Sequence, residues 1–327
     1  MLDIRDKKIL SILSEDSRTP ISVLAKHLGM NRDTIKYKIN RMKKLGIIKK
    51  FYAELNTNFF GYHMCNVFMM LDSQNEEKRD EMISKLVNHT NTKQVIEYND
   101  KWDIEWILLA KNVEDFDEII TDITTGYGDV IIEREKLIVV ENYPAIQLPY
   151  DFYKSLLKHR KRKEFSKIDN VDFKILKLVS QDARMPAIDI AEKIKVSSDT
   201  VIKRIKQLYS SKVIIKFTML IDMGIVSYNW YVLALEMRYY DKKWRSQFRE
   251  FVKEHPYIMR CSKTMGAWDI ILRISTDDPK VFHTTVKEIR KRFSSIIRNY
   301  DTWVAYKEHY FENFPEIVSL KDASGFE

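Results

Sequence analysis

Displaced by 166 residues, this 327-residue chain aligns with itself. Asp3-x-x-Asp6-x-Lys8-Ile9-Leu10 meets Asp169-x-x-Asp172-x-Lys174-Ile175-Leu176, and Ser14-x-Asp16-x-Arg18-x-Pro20 meets Ser180-x-Asp182-x-Arg184-x-Pro186. Much further on, Trp102-Asp103-Ile104 still meets Trp268-Asp269-Ile270, and Phe116 meets Phe282. One offset held over so long a stretch means two copies of one unit with almost no net insertion or deletion between them. Whatever one half folds into, the other must fold into as well.

The length suggests about two to four domains, and 16 Phe, 17 Tyr and 6 Trp supply bulk for several cores. A formal net charge of +8 favours an anionic partner, provided that the charge is localised. Cys65 and Cys261 are the only cysteines, which argues against a disulfide framework or a structural zinc site. The first residues have no apolar segment of a signal peptide, and no apolar run approaches the ~18 residues that span a bilayer. A cytoplasmic protein without a membrane partner is the expectation, with no cofactor or metal.

Each copy opens with three short helices. Asp3 is a plausible N-cap for an apolar stripe through Ile9, Leu10 and Leu13. Thr19 before Pro20 marks a second start, for a helix that would bury Val23, Leu24 and Leu28 and stop at Gly29. Asn31 caps a third helix with the stripe Ile35, Ile39, Met42 and Leu45, which Gly46 ends in a left-handed conformation. Ile47–Phe51 then begins a wing. The second copy repeats the plan with Ser197 as cap and Val201, Ile205 and Leu208 as stripe.

Two helices about a tight turn form a helix-turn-helix, whose second helix enters the major groove. Its DNA-contacting candidates are Asn31, Arg32, Lys36, Lys38, Asn40, Arg41, Lys43 and Lys44 in the first copy. The second offers Ser197, Ser198, Lys203, Arg204 and Lys206. Such cations neutralise phosphates and reach base edges. The first helix carries six bases and one acid between Asn31 and Leu45, so it should contribute more DNA affinity than the second. An ordinary three-helix bundle with a basic face fits the same periodicity.

The run Asp-x-x-Asp-x-x-Ile-Leu, then Asp-x-Arg-x-Pro, a capped helix start with Thr34 or Thr200, and Gly46-Ile47-Ile48-Lys49 resembles the N-terminal domain of the Lrp/AsnC (leucine-responsive, feast/famine) regulators. The rest of each copy reads βαββαβ, a ferredoxin-like antiparallel sheet with two helices on one face. The fold class is therefore α+β: two copies of a winged helix-turn-helix followed by a ferredoxin-like domain. The expected domains are 1–56, 57–150, 168–222 and 223–315, with a basic linker at 151–167 and a tail at 316–327. The linker's Lys158-His159-Arg160-Lys161-Arg162-Lys163 reads as a solvated connection or as a phosphate-contacting arm.

The resemblance implies that the sheets pair, here as an intramolecular pseudo-dimer with homo-oligomerisation open, and that a small effector, an amino acid or related metabolite, binds near a Gly-x-x-Asp turn. In the second copy that turn supplies Thr264, Gly266 and Asp269. The first copy has Asp100 where glycine is expected, so its pocket is altered or lost. Trp102 and Trp268 read as core or interface residues rather than ligand platforms. The implied partners are double-stranded DNA and the effector. A rival reading comes from sirohaem decarboxylases of the same architecture, which use His and basic residues to hold a tetrapyrrole carboxylate. Here Val95–Trp106 contains no His, and Ile258–Arg273 supplies only Arg260, Lys263 and Arg273. His89 and His255 sit at helix ends, where the helix dipole explains them. A regulator that is not an enzyme is the expectation.

Overall fold

The computed structural model describes residues 2–72, 74–149, 152, 168–239 and 241–324. The first copy runs α1 (Ile4–Glu15), α2 (Ile21–Leu28), α3 (Arg32–Lys44), β1 (Ile48–Leu55), β2 (His63–Leu71), α4 (Glu76–Val87), β3 (Thr92–Tyr98), β4 (Ile104–Ala110), α5 (Val113–Thr124) and β5 (Ile131–Tyr143). The second runs α6 (Asn170–Gln181), α7 (Ala187–Ile194), α8 (Ser198–Ser210), β6 (Ile214–Ile221), β7 (Asn229–Met237), α9 (Lys242–Glu254), β8 (Ile258–Met265), β9 (Ile270–Thr276), α10 (Pro279–Arg292) and β10 (Ile297–Phe311). The order of elements follows the repeat. Apart from Phe152, the basic linker lies outside the described residues.

The four expected domains gather into two compact units, like with like. One holds residues 1–61, 150–227 and 318–327; the other holds 62–149 and 228–317. In the first unit both helix-turn-helix modules share a two-stranded sheet, β1 antiparallel to β6 from Ile48↔Ile221 to Leu55↔Ile214. The module cores are the stripes expected from sequence: Ile9, Leu10, Leu13, Leu24, Ile35 and Met42, matched by Ile175, Leu176, Val179, Ile190, Val201 and Leu208. Val23 and Leu45, expected inside, are about half exposed. Pro20 is the N-cap of α2, and the Thr19 hydroxyl donates to the Asp16 carbonyl, where sequence suggested that it would cap α2. Part of the expected tail, up to residue 324, is among the described residues. Its 3₁₀ turn, Leu320–Ser324, packs on the 3₁₀ turn Thr57–Phe60.

The second unit departs from two simple sheets. Eight strands close into a barrel in the order β10-β3-β4-β2-β5-β8-β9-β7. Each copy contributes a ferredoxin-like quartet, and the quartets join at β5–β8 and β10–β3. Both seams are antiparallel ladders, and closure removes the free sheet edges that would otherwise invite aggregation. Helices α4 and α5 cover one quartet through Met82, Leu86, Phe116 and Ile120. Helices α9 and α10 cover the other through Phe248, Val252, Phe282 and Ile289. The inner faces meet in an aromatic cluster of Phe68, Tyr98, Trp102, Trp268 and Trp303, so both repeated tryptophans are core residues. Among the described residues no helix is long and apolar enough to cross a membrane.

Candidate nucleic-acid interface and effector turn

Helix α3 is set by its ends. The Asn31 side chain accepts from the Thr34 N–H. At the other end Gly46 (φ 74°) donates to the Lys43 carbonyl and Ile47 to that of Met42, a Schellman closure that uses up the last carbonyls. Helix α8 has Ser197 as its N-cap, accepting from the Thr200 N–H. The exposed face of α3 presents Arg32, Lys36, Tyr37, Asn40, Lys43 and Lys44. That of α8 presents Ile202, Lys203, Lys206 and Gln207, with Ser198 half-buried at its start.

Three of the expected DNA contacts face the protein instead. Lys38 is 9% exposed, and its Nζ lies 2.6 Å from Asp3 and 3.0 Å from the fully buried Asp6. Arg41 turns to Asp6 as well. In the second copy Arg204, aligned with Lys38, reaches Asp169 at 2.9 Å and Asp172 at 3.1 Å. The cause is geometric: Lys38 and Arg204 fall within the apolar stripes, one turn from Ile35 and Val201, where only a cation matched to a buried carboxylate is tolerated. The hydrogen bond from Lys38 holds the Asp3 carboxyl down at about 2. Burial alone would lower the Lys38 ammonium, but its two carboxylate partners outweigh this and raise it. Asp172, buried and facing one cation, has its carboxyl raised by desolvation.

The Arg of the Asp-x-Arg-x-Pro motif proves to be the clasp between modules. Arg18 donates to the Ala183 carbonyl at 2.7 Å and lies over the Phe217 ring. Arg184 donates to the Ser17 carbonyl at 2.5 Å and lies over Phe51. Burial lowers both guanidinium groups. The Ser17 and Ala183 N–H groups complete the exchange, donating to the carbonyls of Phe217 and Phe51. Sequence showed the motif but not its reach of 165 residues; the signal was its occurrence in both copies. Tyr37, 67% exposed on α3, was also missed.

At the second-copy turn, Thr264 is buried and its hydroxyl donates to the Trp268 carbonyl at 2.6 Å. The Asp269 carboxylate accepts from the Met237 N–H at 2.7 Å. Asp103 does the same for Leu71 in the first copy, so this aspartate pins the turn to the end of a neighbouring strand in both. Gly266 (φ 144°) comes so close to β5 that a Cβ there would stand 2.4 Å from the Lys136 carbonyl oxygen. Its glycine is thus required by the β5–β8 seam. The three residues shape the turn, and what is left exposed is Met265, Gly266 and Ala267.

Inside the barrel lies a polar network that sequence did not announce. Arg273 makes two 2.7 Å contacts with the fully buried Glu105 and donates to the Tyr98 hydroxyl at 2.9 Å. Tyr98 and Asn66 donate to the same carboxylate. Desolvation would lower the Arg273 guanidinium, yet Glu105 and Tyr98 raise it overall. Of the three bases considered for a tetrapyrrole, Arg273 is thus internally neutralised, and Arg260 lies over the Trp230 ring.

Two winged helix-turn-helix modules accompany two ferredoxin-like quartets, and family models assign these parts to DNA binding and ligand binding. Known proteins agree. Residues 2–49 match a winged helix-turn-helix DNA-binding model, 168–208 an AsnC-type helix-turn-helix domain, and 232–325 an Lrp/AsnC ligand binding domain. The HTH-type transcriptional regulator FL11 of Pyrococcus furiosus is 32% identical over 120 residues, covering 37% of this chain and 78% of that protein. LrpA of Pyrococcus abyssi is 29% identical over 143 residues, 42% of this chain and all of that protein. The chain belongs to the Lrp/AsnC family, with two helix-turn-helix copies. A solved structure of the siroheme decarboxylase NirDL, in complex with an iron-uroporphyrin III analogue, aligns over 98% of this chain and 96% of its own with a TM-score of 0.61. At 11% identity that likeness is one of fold.

Proposed function

We propose that this regulator binds double-stranded DNA sequence-specifically as an intramolecular pseudo-dimer, reading two unlike half-sites with one chain. The observation that carries the reading is the reciprocal Arg18–Arg184 clasp together with the shared β1–β6 ladder, which hold two different recognition faces in one unit. Arg32, Lys36 and Asn40, exposed on α3, align with Ser198, Ile202 and Lys206, and different side chains read different base edges. A dimer of identical subunits reads a palindrome; this pair reads an asymmetric site. Selection from random DNA, followed by footprinting, should return a non-palindromic consensus. A perfect palindrome means that two chains supply equivalent α3 helices, and the pseudo-dimer reading fails.

The same reading assigns the effector, an amino acid or related metabolite, to the turn at Thr264, Gly266 and Asp269. There Thr264 and Asp269 hold the shape and the exposed Met265–Ala267 segment meets the ligand. The chain acts by binding, without catalysis. The rival tetrapyrrole reading draws support from the fold of NirDL, and an absorption spectrum of the purified protein with added iron porphyrin separates the two. A regulator leaves the porphyrin band unshifted, whereas its DNA affinity falls steeply with salt.

A further inference from the structure

The two copies bury similar side chains in their helical layers and expose opposite charges. Phe116 and Phe282, Ile123 and Ile289, and Met82 and Phe248 are aligned core pairs. On the solvent side the signs reverse. Glu76, Glu77 and Glu114 align with Lys242, Lys243 and Lys280. Thr121, Thr124 and Thr125 align with Lys287, Arg290 and Lys291. In all, α4 and α5 carry nine carboxylates and three cations, whereas α9 and α10 carry ten cations and three carboxylates. The shared scaffold does not require this difference, since one fold is built with either sign.

We propose that the acidic layer of α4 and α5 docks on the basic layer of α9 and α10 of a second copy of this chain, as a head-to-tail contact. The two layers are the same structural element in its two versions, so they match in kind, and their charges are complementary. Between α10 and β10 the basic layer forms a groove of about 470 Å³ whose lining includes Lys287, Arg290, Lys291, Arg298 and Tyr300, so it gathers cations that carboxylate side chains can meet. Arg290 is already held over the Tyr300 ring, 4.3 Å from its centroid, which fixes one wall. DNA would account for the basic layer alone and would leave Glu114, Glu118 and Asp122, exposed in successive turns of α5, unexplained. A contact between unlike faces propagates to a ring or a filament, and because it is ionic and exposed it weakens as salt shortens the screening length.

Sedimentation of the full chain tests this. The wild type should exceed the mass of one chain at about 0.1 M salt and move toward single chains at about 1 M, where screening acts within ~3 Å. The triple variant Lys287→Glu, Arg290→Glu, Lys291→Glu should lose association at low salt. So should Glu114→Lys, Glu118→Lys, Asp122→Lys. Mixing the two triple variants should restore it, because each retains the face that the other has lost. Lys287→Thr, Arg290→Thr, Lys291→Thr, which copies the first repeat, is the milder variant should reversal perturb folding, and it should weaken association in the same direction. The proposal is overturned by a wild type of single-chain mass at both salts, by variants that keep the wild-type mass, or by a mixture that stays dissociated. It is equally overturned if the basic-layer variants lose DNA affinity while their assembly is unchanged, which would make that layer a nucleic-acid surface.

Discussion

Lys36 and Lys38 are two residues apart on one helix and do opposite work. Two residues rotate an α-helix by roughly 200°, so the first faces solvent and the second faces Asp6. Composition cannot separate them, but phase can: Ile35, Lys38, Ile39 and Met42 share one stripe, and Asp6 shares its stripe with Ile9, Leu10 and Leu13. Two charges in the apolar phase of two facing helices were the available sign of a buried ion pair. Lys38→Ala should therefore lower stability by about 1.5–3 kcal/mol, because it removes one of the two cations that meet the buried Asp6 carboxylate and leaves Arg41. Lys36→Ala should leave stability within about 0.5 kcal/mol and reduce the salt slope of DNA binding by about 0.9, one phosphate contact. Denaturant titrations and binding at several salt concentrations measure both. If Lys38→Ala loses the salt slope and keeps its stability, the assignment is reversed.

At the scale of elements, helix ends show how the copies diverge. Gly29 (φ 62°) and Gly46 (φ 74°) end helices in the first copy, and the aligned residues are Lys195 (φ 58°) and Lys212 (φ 64°). The second copy keeps the left-handed turn and fills it with lysine, at a cost of about 1–2 kcal/mol for each L side chain. Lys195→Gly and Lys212→Gly should each raise stability by roughly 1 kcal/mol, somewhat offset by the greater freedom of glycine in the unfolded chain. Calorimetry should find a higher Tm for each variant, and an unchanged or lower value would mean that the lysine side chains hold the turn by other contacts. These ends also show what sequence could reveal. Glycine announced the stop of α3 in the first copy, and the offset alone announced that of α8 at Ser211–Lys212. Local elements were legible because caps and stripes act within one or two turns. Barrel closure was not, because β5–β8 and β10–β3 are set by contacts more than a hundred residues apart. The turn at Thr264 was legible as a motif, but its hydrogen bonds to Trp268 and Met237 were not.

For the whole molecule, the question is why the first copy pairs with the second and not with its own kind from another chain. Glu105 aligns with Ile271, and Arg273 with Ile107. Two first copies facing each other would each bury Glu105 against isoleucine, and two second copies would each bury an unmatched Arg273. Only the unlike pair closes the 2.7 Å contacts, with Tyr98 and Asn66 satisfying the carboxylate. The pair is thus a device of specificity more than of stability, since desolvation offsets most of the attraction between buried charges. This separates two outcomes. Arg273→Ile alone should destabilise the protein by about 3–5 kcal/mol, because Glu105 is left buried and uncompensated. Adding Glu105→Ile, so that both positions carry the residue of the other copy, should recover that loss and could exceed wild-type stability by about 1–4 kcal/mol. The double variant should also pair less selectively: when two differently tagged versions are unfolded together and refolded, it should form mixed assemblies that survive about 1 M salt, where wild-type chains held together by ionic contacts separate. Denaturant unfolding of the four-member cycle gives the coupling energy. A double variant no more stable than Arg273→Ile would show that the Tyr98 and Asn66 hydrogen bonds, rather than the charge match, hold the two quartets together.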